Sequence, residues 1–106
     1  MIATPTGDPD MTPYTPKPLD TGKIVLPPSL QELLEKLAEN AHEAWAVTRM
    51  AQGWTYGTAR DDTTKKHPSL IPYRELTEAE KDLDRVTAGE TLKAILLPGY
   101  TVTDPA

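Results

Sequence analysis

The sequence predicts a mainly α-helical single domain, and three observations carry that reading. An apolar repeat at helical spacing runs from Leu30 to Thr48. Three Ser/Thr-x-x-Glu patterns (Ser29/Glu32, Thr77/Glu80 and Thr87/Glu90) accompany the apolar repeats and mark helix starts. The β-type run Lys23–Leu26 is ended by two prolines after only four residues. The predicted architecture is one long helix, a crossing loop with short extended segments, and two shorter helices packed back on it.

Residues 1–16 are rich in proline, with Gly, Thr and Asp between, and almost lack apolar periodicity. They read as a disordered or extended arm ahead of a domain over residues 17–106. Lys23–Leu26 reads as an extended segment crossing the core. The long helix is expected over residues 29–52, with Leu30, Leu33, Leu34, Leu37, Ala41, Ala44 and Thr48 on one stripe. Trp45 falls at the edge of that stripe, and Gly53 suits the position just past the helix end. Between residues 54 and 73 no period holds. Pro68 and Pro72 bracket an extended Ser69–Leu70–Ile71 whose apolar side chains should anchor the loop to the long helix. The shorter helices are expected near residues 78–86 and 88–97. Leu83 and Val86 should face inward on the first, with Glu78, Lys81 and Asp82 outward; Leu92, Ile95 and Leu96 should form the apolar face of the second.

Composition excludes several function classes. No cysteine is present, which rules out disulfides and thiolate chemistry and suits a reducing, cytoplasmic setting. A net charge of −5 opposes general nucleic-acid binding and attraction to acidic membranes. The apolar run Ala94–Leu97 is far too short to span a bilayer. Nucleotide-triphosphate, dinucleotide, zinc-protease and nucleophile-elbow motifs are all missing. Ser29 and Ser69 are the only serines, so a nucleophilic triad has little support. Asp61 and Asp62 with His67 make a poor metal site, because adjacent loop carboxylates need further ligands and neighbouring cations compete. A non-enzymatic role without metal or required cofactor is expected.

Chemistry-bearing residues concentrate between Ala41 and His67. Both tryptophans, both histidines and an Arg/Asp/Lys cluster fall there. A stiff helix beside a loop rich in planar and charged groups suits recognition of a small anionic or aromatic ligand. Trp45 can stack a base, or it can simply be core. Arg49, one turn along, can meet a phosphate or pair on the surface, and His67 and Asp84 approach if loop and second helix fold onto the first. Trp54, Tyr56, Arg60, Asp61 and Asp62 are expected to structure the loop through anchoring and ion pairs.

Several stretches carry a resemblance: LAENAHEAW (37–45), GWTYG (53–57), RDD (60–62) and HPSLIPY (67–73). They are flanked by KPLDTGKIVLPPSLQELLEKLAE (17–39) and RELTEAEKDLDRVTAGETLKAILLPGY (74–100). In this order and spacing the chain resembles the RyR domain, the repeat of ryanodine receptor channels that also occurs singly in bacterial and viral proteins. The resemblance implies adenine-nucleotide binding between paired copies, at positions matching Trp45, Arg49, His67 and Asp84, with Arg85 next in line. The position matching Asp84 can be an amide in the channels. A single copy rebuilds a paired site only as a symmetric homodimer, with Trp45 of each chain across the axis. The alternative is a protein-protein interaction or self-association module without a small ligand.

Overall fold

The computed structural model describes residues 13–105. Two helices dominate it: α1 over Pro28–Ala51 and α2 over Glu78–Leu96. Between them lie two two-residue strands, β1 at Thr55–Tyr56 and β2 at Lys66–His67, and a 3₁₀ turn at Tyr73–Glu75. The mainly α reading holds, with two helices where three were expected. Of the proline-rich arm, residues 1–12 lie outside the described region, and residues 13–20 are exposed and without regular structure.

Helix α1 begins two residues earlier than the Ser29/Glu32 pattern suggests. Pro27 is the N-cap and no side chain caps it. Pro28 takes the first helical position, where its preset φ fits and its missing N–H costs nothing; Ser29 is thereby inside the first turn. The Pro27 carbonyl accepts from the amides of Leu30 and Gln31, both at 3.0 Å. At the far end the Gly53 amide donates to the Met50 carbonyl and the Trp54 amide to the Arg49 carbonyl, a Schellman closure. Gly53 has φ 93°, a conformation that a side chain disfavours.

Helix α2 keeps its predicted start. The Thr77 hydroxyl accepts from the Glu80 amide, and the Glu80 carboxylate accepts from the Thr77 amide. The third pattern does not start a new helix. Thr87 Oγ1 donates to the Leu83 carbonyl one turn back, at 3.0 Å, so the hydroxyl is satisfied inside a continuous helix. Glu90 instead accepts from Thr21 Oγ1 at 2.6 Å, which ties the N-terminal segment to α2.

The buried faces are also rotated from the predicted ones. On α1 the buried residues are Leu30, Ala38 and His42, with Leu34 and Leu37 partly buried and Leu33, Ala41, Ala44 and Thr48 exposed. On α2 the buried residues are Gly89 and Leu92. Leu83 and Val86 point out, 71% and 63% exposed, contrary to expectation, while Lys81 is half-buried over the Tyr73 ring. Gly89 packs against α1 beside Leu34; a Cβ there would lie 3.7 Å from Leu34 Cδ1, an ordinary contact distance.

The core is consequently two small clusters. Leu26, Leu30 and Leu92 form one, covered by Leu34, Leu37 and Leu96; Leu26 belongs to the extended segment that does cross the core. Ala38, Tyr73 and Leu76 form the other, covered by Ile71. An ion-pair cluster closes the same side. Arg85 binds Glu35 through two nitrogens, at 2.8 and 2.9 Å, and reaches Asp82 at 2.7 Å and Glu78 at 3.1 Å. Tyr73 donates its hydroxyl to Glu35 at 2.7 Å. Those bonds from Arg85 and Tyr73 hold the Glu35 carboxyl down at about 2. Burial and the Glu35 carboxylate push the Tyr73 phenol up to about 12.

Candidate functional site

The crossing loop is built as a clasp. β1 and β2 pair in parallel, Thr55 with Lys66 and Tyr56 with His67. The amides of Asp61 and Lys66 donate to each other's carbonyls at 2.9 Å. Asp61 Oδ1 accepts from the amides of Thr63 and Thr64, which holds its carboxyl below the usual range. Arg60 binds Asp62 at 2.8 Å and lies over the Trp54 ring, 5.7 Å from its centroid. Trp54 itself is buried, whereas Tyr56 is exposed on the clasp. This geometry delivers His67 to the face of α1.

Five rings then stand in series. Tyr73 lies 6.1 Å from His42, and His42 lies 5.6 Å from Trp45. Trp45 meets His67 edge-on at 4.9 Å, and Trp54 continues the row 6.1 Å beyond. His42 is buried, and its Nε2 donates to the Ile71 carbonyl at 2.7 Å. The Ser69 amide donates to His67 Nδ1 at 3.0 Å. An accepting Nδ1 carries no proton, so the His67 imidazole is neutral with its hydrogen on Nε2. Burial, then repulsion from Arg60 and Arg49, lowers its pKa in the same sense.

Across from these rings stands the start of α2. Between the two helices lies an open groove of about 280 Å³. His42, Trp45, His67 and Ser69 form one wall; Glu80, Leu83 and Asp84 form the other, with Leu76 also lining it. Ser69 Oγ donates to Glu80 at 2.5 Å across the end. That bond and those from Thr77 hold the Glu80 carboxyl below its usual range. Asp84 is half-buried and makes no hydrogen bond or ion pair with the described residues. The groove is thus aromatic on one side and acidic on the other, with no Lys or Arg along its walls among the described residues.

The structure brings Trp45, His67 and Asp84 together along one cavity. Arg49 and Arg85 are placed elsewhere. Arg49 lies over Trp54 at 5.5 Å and donates to Gln52 at 3.2 Å, outside the groove lining. Arg85 turns to the opposite side of α2 and is spent on Glu35, Glu78 and Asp82. His42, Ser69 and Glu80 are the wall residues that sequence reasoning did not assign. Glu80 was legible only as a cap residue. His42 lies three residues before Trp45 on α1, which was its one available signal. Among the described residues no three potential ligands gather around a metal position, and no helix is long and apolar enough to cross a membrane. In comparison with protein families, the RyR domain model matches residues 14–104, nearly the whole chain, and the protein belongs to the RyR domain family.

Proposed function

We propose that this RyR-type domain is a non-enzymatic binding module whose groove takes the planar ring of a small ligand, an adenine-type nucleotide. The observation that carries this is the convergence of Trp45, His67 and Asp84 on one cavity. At about 280 Å³ the cavity sits at the small end of ligand sites, suited to a ring rather than to a whole nucleotide. Trp45 supplies the stacking face, and the phosphates leave toward Arg49 and Arg60, the cations clustered at Trp54. The acidic α2 wall forbids the opposite orientation, since Glu80 and Asp84 repel phosphate.

Titration with AMP and ATP, followed by tryptophan fluorescence and calorimetry, tests the reading. Base stacking on an aromatic residue is worth about 1–3 kcal/mol. Trp45→Ala is therefore expected to weaken binding by roughly ten- to a hundredfold while the helical circular dichroism persists. Wild-type affinity in that variant, or no nucleotide binding by the wild type, refutes it.

A second reading, self-association without a small ligand, draws on Leu83 and Val86. They stand one turn apart on α2 and are mostly exposed, and Leu83 lines the groove. A homodimer through this face also joins two grooves. Sedimentation over a concentration series, with and without nucleotide, separates the two readings: a pure association module responds to protein concentration alone.

A further inference from the structure

The wall of the groove that α2 supplies holds one side chain whose bonding is incomplete. Glu80 accepts from Ser69 Oγ, the Thr77 amide and Thr77 Oγ1, at 2.5, 3.2 and 3.0 Å. The Ser69 hydroxyl is spent on that contact, and His42 Nε2 is spent on Ile71. Asp84 differs from all of these. It lines the same cavity, is half-buried, and finds no donor among the described residues. Its neighbour in sequence, the Arg85 guanidinium, is turned away into the cluster with Glu35. A carboxylate has acceptor sites only. Covering it with a ligand that offers a carbonyl oxygen strips its water and leaves it unpaired, whereas a ligand that offers N–H pairs it.

His67 complements this acceptor. Its Nδ1 is occupied by the Ser69 amide, so Nε2 carries the hydrogen. No buried side-chain nitrogen or oxygen among the described residues lacks a partner. The Nε2–H, which has no acceptor among the described residues, is therefore open to solvent or ligand. One cavity thus offers a donor from the loop and a bare acceptor from α2.

We infer that Asp84 makes the groove selective for planar ligands that present a hydrogen-donating amino or amidine edge, and rejects their oxo counterparts. Where the ligand is a nucleotide, this deepens the function proposed above and rests on it for the ring. The general donor-edge selectivity stands on the cavity alone. The Nε2–H of His67 meets a ring nitrogen beside the amino group that Asp84 accepts from.

Two sets of probes test it by calorimetry on the whole chain. The first compares benzamidine with acetophenone, which offers a carbonyl oxygen and no N–H, and with benzoate, in wild type and in Asp84→Asn. Benzamidine is expected to bind the wild type about tenfold or more tighter than acetophenone, and benzoate weakest, because a polar group left unpaired under a ligand is heavily penalised. Asp84→Asn should erase that preference while leaving the circular dichroism unchanged. An equal affinity for benzamidine and acetophenone, or a variant that binds benzamidine as the wild type does, overturns the inference. The second set compares adenosine with inosine. Tighter binding of adenosine, lost in Asp84→Asn, supports the inference. Equal binding of both overturns it and leaves the planar-ligand reading standing. If neither nucleoside binds but the benzamidine preference holds, the nucleotide reading fails alone.

Discussion

Replacing His42 tests how the groove wall is held. The side chain is 4% exposed, and its Nε2 donates to the Ile71 carbonyl across a separation of 29 residues. That carbonyl takes no other hydrogen bond among the described residues. His42→Leu keeps most of the volume and removes the donor. The lost bond costs about 1 kcal/mol net, and the orphaned, partly buried carbonyl adds about 1–3 kcal/mol. Burial of the added apolar surface returns about 1–2 kcal/mol. The balance is a loss of about 0–3 kcal/mol, centred on about 1–2 kcal/mol. With a urea slope of about 1 kcal/mol per molar for a chain of this size, the unfolding midpoint should fall by about 1–2 M. His42→Gln places an amide nitrogen near the position of Nε2 and should recover at least half of the loss. Equilibrium urea unfolding followed by tryptophan fluorescence measures all three proteins. The reasoning fails if the leucine variant is as stable as wild type, because the bond then contributes nothing. It fails equally if glutamine is no better than leucine, because the loss then comes from packing alone.

Three further outcomes follow from the same geometry. A Cβ on Gly57 would stand 2.6 Å from Lys66 Cβ and 3.1 Å from its Cγ, so Gly57→Ala must push β2, and His67 with it, away from the β1 side of the clasp. We expect a loss of about 1–3 kcal/mol by urea unfolding and shifted imidazole resonances of His67; an unshifted His67 refutes the clasp. Thr77→Ala removes the hydroxyl cap of α2 and should cost about 1 kcal/mol, with early loss of amide protection at Glu80; unchanged protection counts against the cap. Glu35 is held down at about 2 from its ordinary 4.5, first by Arg85 and then by Tyr73. A carboxyl depressed in the folded state contributes stability that is present above pH 4.5 and fades as pH falls toward 2. The urea midpoint of wild type should therefore drop between pH 5 and pH 3 by more than that of Glu35→Gln, and equal drops would exclude a role for this carboxylate.

The sequence alone settled the features that depend on neighbouring residues. The extent of α1, its closure at Gly53 and the Thr77/Glu80 start of α2 all rest on bonds within a few residues, so local pattern predicts them. The family is likewise written in the order of short motifs along the chain. Thr87/Glu90 carries the same local pattern as a real cap, and only the tertiary structure shows otherwise. Glu90 is drawn to Thr21, far away in sequence, and Thr87 bonds back into its own helix. The orientation of α2 was also beyond local reasoning. Leu83 and Val86 look like core by hydropathy, yet Arg85 and its three carboxylates, together with the packing of Gly89 beside Leu34, turn a different face toward α1. That rotation sends Arg85 away from the groove and brings Glu80 and Asp84 to it. Trp45 and His67 were recognisable as chemically useful residues; that they stand 4.9 Å apart was not. Their meeting depends on a loop clasped by two residue pairs and on a buried histidine reaching one carbonyl. Interactions between distant parts of the chain carry no local sequence period, so the groove became visible only once the two helices and the loop were packed together.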